Sequence, residues 1–487
     1  MVEDNKQEHK QVSTGSKYIK IKKFHFIMGV FILIFLSVGI TAVALLVGDE
    51  KVQPTVVNER EEFKRLYEVY DTIVSKYYTD VDKDTLVTGA IDGMVVALDD
   101  PYSDFMNEEE ASSFNEVISS SFEGIGAEIQ QQNSKIVIVS PIKGTPAEKA
   151  GLQANDIIVS VDGKNLAGVS SSEAVKLIKG EKGTKVTLVI QRGEADPFTV
   201  ELIRDTIPIQ TVYAEMMDNQ IAQIHLTSFS SSTTEELKAA LNEMSNEGMK
   251  GLVLDLRGNP GGIMEQAINV ANMFVPEGKI IFQVEDRDGN RQVFKADGSE
   301  KIDVPLVVLV DNGSASASEI VAGAAQESAN VQVIGETTFG KGTVQTAQQM
   351  EDDSNLKYTS AKWLTPDGNW IHEKGIVPNV TVELPAYAQL TYISPEQEYT
   401  EGSNATEVHV AEQMLEALGY NPGTIDNVFD DQTKVAVQQL QKDADLEVTG
   451  VLKGDTTTAL MNKLRELILE NDTQLDYAVE LLKEGNN

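Results

Sequence analysis

The stretch VPLVVLVDNGSASASEI, residues 304–320, places a serine-rich turn directly after an apolar run. The continuous apolar run VPLVVLV is typical of a strand that is buried on both faces, as in a parallel sheet. Ser314, Ser316 and Ser318 follow where this strand gives way to a predicted helix. A serine at such a point either caps the helix or is exposed as a nucleophile. The residues alone leave the choice among the three serines open.

The surrounding sequence, residues 207–390, repeats this alternation of strands and helices. The predicted strands IAQIHLTSF and GLVLDL alternate with the predicted helices TTEELKAALNEM and IMEQAINVANMFV. Buried parallel strands with crossover helices predict an α/β core whose active site lies at the carboxyl ends of the strands. Two turns fall at such ends, RGNPGG (residues 257–262) and NGSASASE (residues 312–319).

A serine nucleophile needs a base, which is usually a histidine. The chain has five histidines, and three of them lie outside the predicted core: His9, His25 and His409. His225 falls inside a predicted strand, which is typical of a packed histidine. His372 is the remaining histidine candidate.

Lysine is the alternative base, and Lys341 stands between two glycines in FGKGTVQ. A lysine accepts a proton only when burial or a positive neighbour keeps its amine neutral. The residues alone favour an exposed turn, since lysines are rarely buried.

Upstream, residues 120–206 read as short strands with one capped helix, in the order FEGIGAEIQ, KIVIVS, DIIVSVDG, SSSEAVKLIKG and KVTLVIQRG. The Gly-Ile-Gly turn before a strand is a plain turn or an anion-binding nest. The order GIGA, then SPIKGTPAEKAGLQANDIIVSVDGKNLAG, then an amphipathic helix closely resembles bacterial PDZ domains. That resemblance implies that Gly124, Ile125, Gly126 and Ala127 bind the terminal carboxylate of a peptide.

The N-terminus contains a predicted membrane anchor. Residues 24–47 contain no Asp, Glu, Lys or Arg, and 24 residues at ~1.5 Å each span a bilayer core of roughly 30 Å. Six lysines and three acidic residues precede them, so the positive-inside rule predicts a cytoplasmic tail, residues 1–23, and an extracytoplasmic remainder. A cleaved signal peptide is the alternative, but the run is long and lacks an A-x-A site. After the predicted anchor, residues 58–110 are predicted to be helical.

The C-terminal part is predicted to be a small helical domain, residues 408–466, behind a polar linker, residues 391–407, and before a tail, residues 467–487. LGYNPGTID, VFDDQTKVAVQQLQ and LEVTGVLKGDTTTAL resemble the peptidoglycan-binding domains at the ends of cell-wall enzymes. Asp426-Asn427 stands where that family usually has Asp-Gly.

Together, NGSASASEI, FGKGTVQ, RGNPGG and YTSAKWLTPDGNWIHEKGIVPNV resemble the Ser–Lys core of the carboxyl-terminal processing, or tail-specific, proteases. The likeness covers residues 67–384 and implies that Ser316 is the nucleophile, Lys341 the base and Gln345 the residue that orients the lysine. The backbone amides of Ala317 and Gly262 are the expected donors to the oxyanion.

The sequence thus predicts a multidomain α/β protein with an N-terminal transmembrane helix, a PDZ domain, a protease core and a helical C-terminal domain. We expect an extracytoplasmic serine endopeptidase that acts on proteins or peptides with free C-termini and binds peptidoglycan. A homodimer through residues 58–110 is expected as well. With no cysteine, no ligand spacing and a net charge of −36, we expect no metal, no cofactor and no nucleic-acid partner. The alternatives are an inactive scaffold or a peptidoglycan hydrolase.

Overall fold

The structure is a computed structural model that describes residues 60–132, 134–299 and 301–485. The predicted cytoplasmic tail and membrane span lie outside these residues. Within the described part of the chain, no helix is both long and apolar enough to cross a bilayer. The chain divides into two compact units at residues 90 and 91. In the first unit, helix α1 (Lys64–Lys76) exposes Leu66, Tyr67 and Val69 to solvent. Helix α2 (Lys83–Val96) crosses the division.

The first part of the second unit is a small β domain. Strand β1 (Asp104–Met106) and helix α3 (Glu108–Ser119) lead into this domain, whose elements are β2 (Ser121–Gly124), β3 (Ala127–Gln132), β4 (Lys135–Pro141), α4 (Pro146–Lys149), β5 (Ile157–Val161), β6 (Lys164–Asn165), α5 (Ser171–Ile178), β7 (Lys185–Gln191), β8 (Phe198–Ile203) and β9 (Asp205–Pro208). The sheet order is β3-β4-β5-β7-β8, and Ile136, Ile158 and Leu188 pack in its core. Strands β2 and β9 pair with each other and close the domain at its two ends.

The core that follows contains a six-stranded sheet in the order β10-β11-β12-β15-β16-β19. All neighbours in this sheet are parallel except β10 and β11, as the alternating pattern predicts. The elements of the core are β10 (Val212–Met216), β11 (Ile221–Leu226), α6 (Thr233–Asn246), β12 (Gly251–Asp255), α7 (Met264–Asn272), β13 (Ile280–Asp286), β14 (Arg291–Lys295), β15 (Leu306–Val310), α8 (Ala317–Ser328), β16 (Gln332–Gly335), β17 (Thr343–Gln349), β18 (Asn355–Leu364) and β19 (Val380–Thr381).

A second, antiparallel sheet stands beside the parallel one. Its order is β1-β18-β13-β14, and β17 also pairs with β18. Strand β1 precedes the small β domain in the chain yet pairs with β18 of the core, so the β domain is an insertion between strands of one structure. Strand β17 of this sheet begins two residues after Lys341, the base predicted from the sequence resemblance.

The C-terminal segments are packed more tightly than the sequence predicts. Helices α9 (Thr406–Ala417), α10 (Asp431–Asp443) and α11 (Asp455–Glu470) share one apolar core. The segment predicted as a linker, residues 391–407, contributes Ile393 and Tyr399 to that core, and Tyr399 pairs with Leu452. The predicted tail, residues 467–487, contains the end of α11 and a further helix, α12 (Thr473–Gly485).

Helix α12 covers one face of the parallel sheet. Because side chains alternate along a strand, Leu252 and Leu254 of β12 point to α6, α7 and α8, whereas Val253 points to the opposite face. On that opposite face, Ala478, Val479 and Leu482 of α12 pack against side chains of four strands: Ile221, Val253, Val307, Leu309 and Ile334. The sheet is therefore sandwiched between local helices and the last helix of the described chain.

Candidate active site

The carboxyl ends of β12 and β15 and the start of β17 surround a cavity of about 400 Å³. Five residues predicted for the catalytic site line this cavity: Gly262, Ser316, Ala317, Lys341 and Gln345. The first three come from turns of the parallel sheet, and the other two come from the segment that enters the antiparallel sheet. The site is thus built where the two sheets meet.

Ser316 has an unusual backbone conformation. It begins α8 with φ 55° and ψ −110°, a combination that a residue with a side chain rarely adopts. The other two serines are wholly buried and tied to backbone: Ser314 Oγ donates to the carbonyl of Leu256 (2.8 Å) and Ser318 Oγ to that of Asn259 (2.9 Å). Ser316 is the one of the three that lines the cavity.

Glu319 is a residue of this site that the sequence reasoning missed. Its wholly buried carboxylate accepts hydrogen bonds from the backbone N–H groups of Ser316 (2.8 Å), Gly340 (2.7 Å) and Lys341 (2.8 Å). It also accepts one from the Thr338 hydroxyl (2.6 Å). One side chain therefore fixes the serine turn and the lysine segment relative to each other. The spacing Ser-x-x-Glu, a capping-box signature, was the available signal.

The amine of Lys341 is only partly shielded from solvent and has an aromatic neighbour. Its Nζ lies 4.8 Å from the centre of the Tyr102 ring, and among the described residues it makes no hydrogen bond or ion pair. Burial lowers the pKa of Lys341 below its usual value of 10.5, and the positive charge of Lys357 lowers it further. Asp100 and Glu319 act in the opposite direction but do not cancel the shift.

Gln345 lies on β17 opposite Thr359 of β18, beside a bulge in the ladder. Its Nε2 donates to the hydroxyls of Thr343 (3.0 Å) and Thr359 (3.3 Å). These two bonds use the amide nitrogen, so Oε1 is left as an acceptor on a side chain that lines the cavity.

The turn that contains Gly262 passes close to other backbone. Gly262 has φ 143°, and a Cβ at this position would overlap the carbonyl oxygen of Phe229. At Gly261 (φ 97°) a Cβ would lie 2.6 Å from the carbonyl oxygen of Ala315. Among the described residues, the N–H groups of Gly262 and Ala317 donate to no protein acceptor. Two backbone donors at the cavity are therefore unused.

Neither histidine of the core lines the cavity. His372 stacks on Trp370, with ring centres 5.3 Å apart, and its buried Nδ1 has no hydrogen-bond partner among the described residues. His225 lies on β11, where its Nε2 is 3.3 Å from the carbonyl oxygen of Arg257. The described residues also contain no cluster of three or more His, Asp or Glu that could hold a metal ion.

The predicted carboxylate-binding loop lies in the small β domain, apart from the catalytic cavity. The loop joins the end of β2, at Gly124, to the start of β3, at Ala127. Its carbonyls are occupied, since Ile125 accepts from the N–H of Ala147 (2.8 Å) and Gly126 from that of Ile142 (2.9 Å). Within the described chain, the N–H groups of Ile125 and Gly126 donate to no protein acceptor. The loop therefore offers two free donors.

Four sequence families match parts of this chain. Residues 220–382 match peptidase family S41, and residues 44–110 match the N-terminal domain of the activating protease CtpB. A PDZ domain matches residues 137–192, which begins after the carboxylate loop, and a peptidoglycan binding domain matches residues 404–460. The PDZ domain, the protease domain and the peptidoglycan-binding domain follow one another in the order that the sequence resemblances imply.

Curated relatives match nearly the whole chain. The carboxy-terminal processing protease CtpA of Bacillus subtilis is 49% identical over 93% of this chain and 98% of its own length. A CtpA-like serine protease of Staphylococcus epidermidis is 38% identical, covering 97% of this chain and 96% of its own. Among solved structures, the photosystem II D1 C-terminal processing protease is 33% identical, covering 66% of this chain and 88% of its own, with a TM-score of 0.39.

Proposed function

This chain belongs to the carboxy-terminal processing proteases of peptidase family S41, and we propose that it cleaves peptide bonds with a Ser316–Lys341 dyad outside the cytoplasmic membrane. It is a serine protease with a PDZ domain and a peptidoglycan-binding domain. The dyad, the membrane anchor and the recognition of substrate C-termini are the proposed parts.

The observation that carries the dyad is the environment of the Lys341 amine. It lines the same cavity as Ser316, has no acceptor among the described residues and has a lowered pKa. A paired ammonium would be held in its charged form, whereas this amine is free to lose its proton. A neutral amine is what a general base requires.

In the proposed reaction, Ser316 Oγ attacks the scissile carbonyl while Lys341 Nζ takes the hydroxyl proton. The carbonyl oxygen becomes an oxyanion and accepts hydrogen bonds from the N–H groups of Gly262 and Ala317. Collapse of this intermediate breaks the C–N bond, and Lys341 returns the proton to the leaving amine. Water then attacks the acyl-enzyme while Lys341 accepts its proton. Collapse of the second tetrahedral intermediate breaks the ester C–O bond, Lys341 returns the proton to Ser316 Oγ, and the carboxylic acid product leaves. Gln345 Oε1 orients the amine.

Substrate recognition is assigned to the loop Gly124–Ala127. The free N–H groups of Ile125 and Gly126 are suited to a terminal carboxylate, because a PDZ domain adds a peptide as a strand beside such a loop. Strand β3 begins directly after the loop and would pair with the added strand.

The dyad is tested by substitution in the full chain. Ser316→Ala and Lys341→Ala should each lower kcat for a peptide substrate roughly 10⁴-fold or more, because each removes a reacting group. His372→Ala is the matched control and should retain substantial activity, since this side chain does not line the cavity. Circular dichroism checks that each variant is folded. Loss of all activity in a folded His372→Ala protein would show that lysine is not the base.

The anchor is tested by fractionation. Full-length protein should remain with membranes after alkaline carbonate extraction, and a form lacking residues 1–47 should not. External protease should degrade the bulk of the chain but spare residues 1–23 in intact cells. A mature N-terminus found after residue 47 would show a cleaved signal peptide instead. The homodimer through residues 58–110 stays a prediction.

A further inference from the structure

The turn that contains Gly262 begins with a largely buried arginine, Arg257, whose partners come from the end of β12 and from the start of α12. The Arg257 side chain is 14% exposed, and its guanidinium donates to the Asp255 carboxylate (2.9 and 2.6 Å). The same guanidinium contacts Asp472 (2.8 and 2.7 Å) and donates to Gln474 Oε1 (3.1 Å). Asp472 and Gln474 lie at the start of α12, more than 200 residues away in sequence.

Two carboxylates share this one guanidinium. Burial alone would raise the pKa of Asp255, but the hydrogen bonds and charge of Arg257 hold it below its usual range. Removing the charge of Asp472 would leave Arg257 paired with Asp255 alone and one of its N–H groups poorly satisfied. A buried, partly unpaired guanidinium is costly, so the side chain and its backbone would shift.

From Arg257 the turn is connected residue by residue to the serine. Gly258 N–H donates to Asp311 Oδ1 (2.8 Å), and the Asn259 carbonyl accepts from the N–H of Ala315 (3.0 Å). Asn259 Oδ1 accepts from Gly261 N–H (2.9 Å), immediately before Gly262. A displacement of Arg257 is therefore passed along a packed turn in which Gly261 and Gly262 lie so close to other backbone that a Cβ would not fit.

The position of Asp472 is itself fixed by the docking of α12. Its Oδ1 accepts from the N–H of Leu475 (3.0 Å), which caps the helix. Gln474 Nε2 donates to the carbonyl of Val382 (2.8 Å), and Thr473 Oγ1 to that of Glu383 (2.8 Å), both just after β19. Of these three residues, Thr473 holds the helix without contacting Arg257.

We propose that Asp472 is a positioning residue for the reaction, which acts through Arg257 to hold the Gly262 N–H where the oxyanion forms. The last helix is then part of the catalytic apparatus as well as a cover for the sheet. This inference rests on the oxyanion role proposed for Gly262.

The test is Asp472→Asn in the full-length protein. Asparagine caps a helix as well as aspartate does, so the substitution removes the charge toward Arg257 and keeps the cap. We expect kcat for a peptide to fall about tenfold, equivalent to about 1.4 kcal/mol, with KM unchanged. Thr473→Ala is the matched control, because it removes a docking bond beside Asp472 without touching Arg257. It should lower Tm while leaving kcat within about twofold of the parent.

The outcomes separate a positioning role from a merely structural one. A kcat unchanged in Asp472→Asn, or reduced equally in Thr473→Ala, overturns the proposal. If Asp472→Asn does not fold, Gln474→Leu serves instead: a roughly threefold fall in kcat at constant KM supports the proposal, and an unchanged kcat overturns it. An inactive parent protein would count against the proposed function, whereas an active parent with unaffected variants would count only against this inference.

Discussion

Two glycine-containing turns of this protein follow strands and offer backbone N–H groups, but they are built differently. In the turn of residues 257–262, the side chains of Arg257 and Asn259 make hydrogen bonds to neighbouring strands. A Cβ added at Gly261 or Gly262 would overlap backbone atoms. In the loop of residues 124–127, the carbonyls are bonded, and the main obstacle to a Cβ, at Gly126, is the side chain of Thr145.

The difference between the two turns matches the two functions that we propose for them. An oxyanion exists only during the reaction, so its donors must already be in place, and any reorganisation would be added to the barrier. A peptide terminus binds before the reaction, and its loop has only to leave donors free. We therefore expect the catalytic turn to tolerate almost no change and the carboxylate loop to tolerate more.

The same substitution in both turns gives the largest expected contrast. Gly262→Ala should lower kcat about 10²–10³-fold, because the added methyl group displaces an oxyanion donor. Gly126→Ala should chiefly raise KM for peptides and leave cleavage of a short activated ester within a few fold. Equal losses in both variants with the ester would remove the distinction between the two turns.

The pH–rate profile tests the role of Lys341, which lines the same cavity as the turn of residues 257–262. The proposed mechanism requires a neutral Lys341 amine. Burial and the charge of Lys357 lower the pKa of this amine, so activity should rise about tenfold per pH unit and level off below 10.5. Lys357→Met removes the positive neighbour and should therefore shift the rise to higher pH. A profile that is flat from acid to alkaline conditions would contradict a lysine base.

Peptides with an amidated C-terminus test the loop of residues 124–127. They should give the smallest change in activity of these three tests. Amidation removes the carboxylate charge that the Ile125 and Gly126 donors would bind, at a cost of about 1–3 kcal/mol. We expect roughly tenfold lower kcat/KM for an amidated peptide than for the matched acid. The activated ester, which has no peptide terminus, is the control. Equal rates for acid and amide would argue against tail recognition.

The parallel sheet and the positions of both catalytic turns could be predicted from the sequence, because continuous apolar runs such as VPLVVLV, each followed by turn residues, are typical of buried parallel strands. The choice of Ser316 could not, since Ser314 and Ser318 have the same local pattern. Their hydroxyls are excluded by bonds to Leu256 and Asn259, residues about 60 positions away, which no periodicity reveals.

In the C-terminal segments, the sequence predicted less packing than the structure shows. Residues 391–407 are polar enough to predict a linker, but Ile393 and Tyr399 anchor them in a core. In the predicted tail, Leu475, Ala478, Val479 and Leu482 have the spacing of an amphipathic helix, so α12 was detectable. The contact of Asp472 with Arg257 could not be predicted, because it depends on how distant parts of the chain pack.

The place of α12 in the chain also sets an order of assembly. A polypeptide is synthesised from its N-terminus, so Ile221, Val253 and Val307 are made long before Leu482, which covers them. Until then, one face of the central sheet is open and Arg257 lacks Asp472. Contacts so distant in sequence form late because a long loop must close first. The arrangement therefore delays completion of the candidate active site until almost all of residues 60–485 have been synthesised.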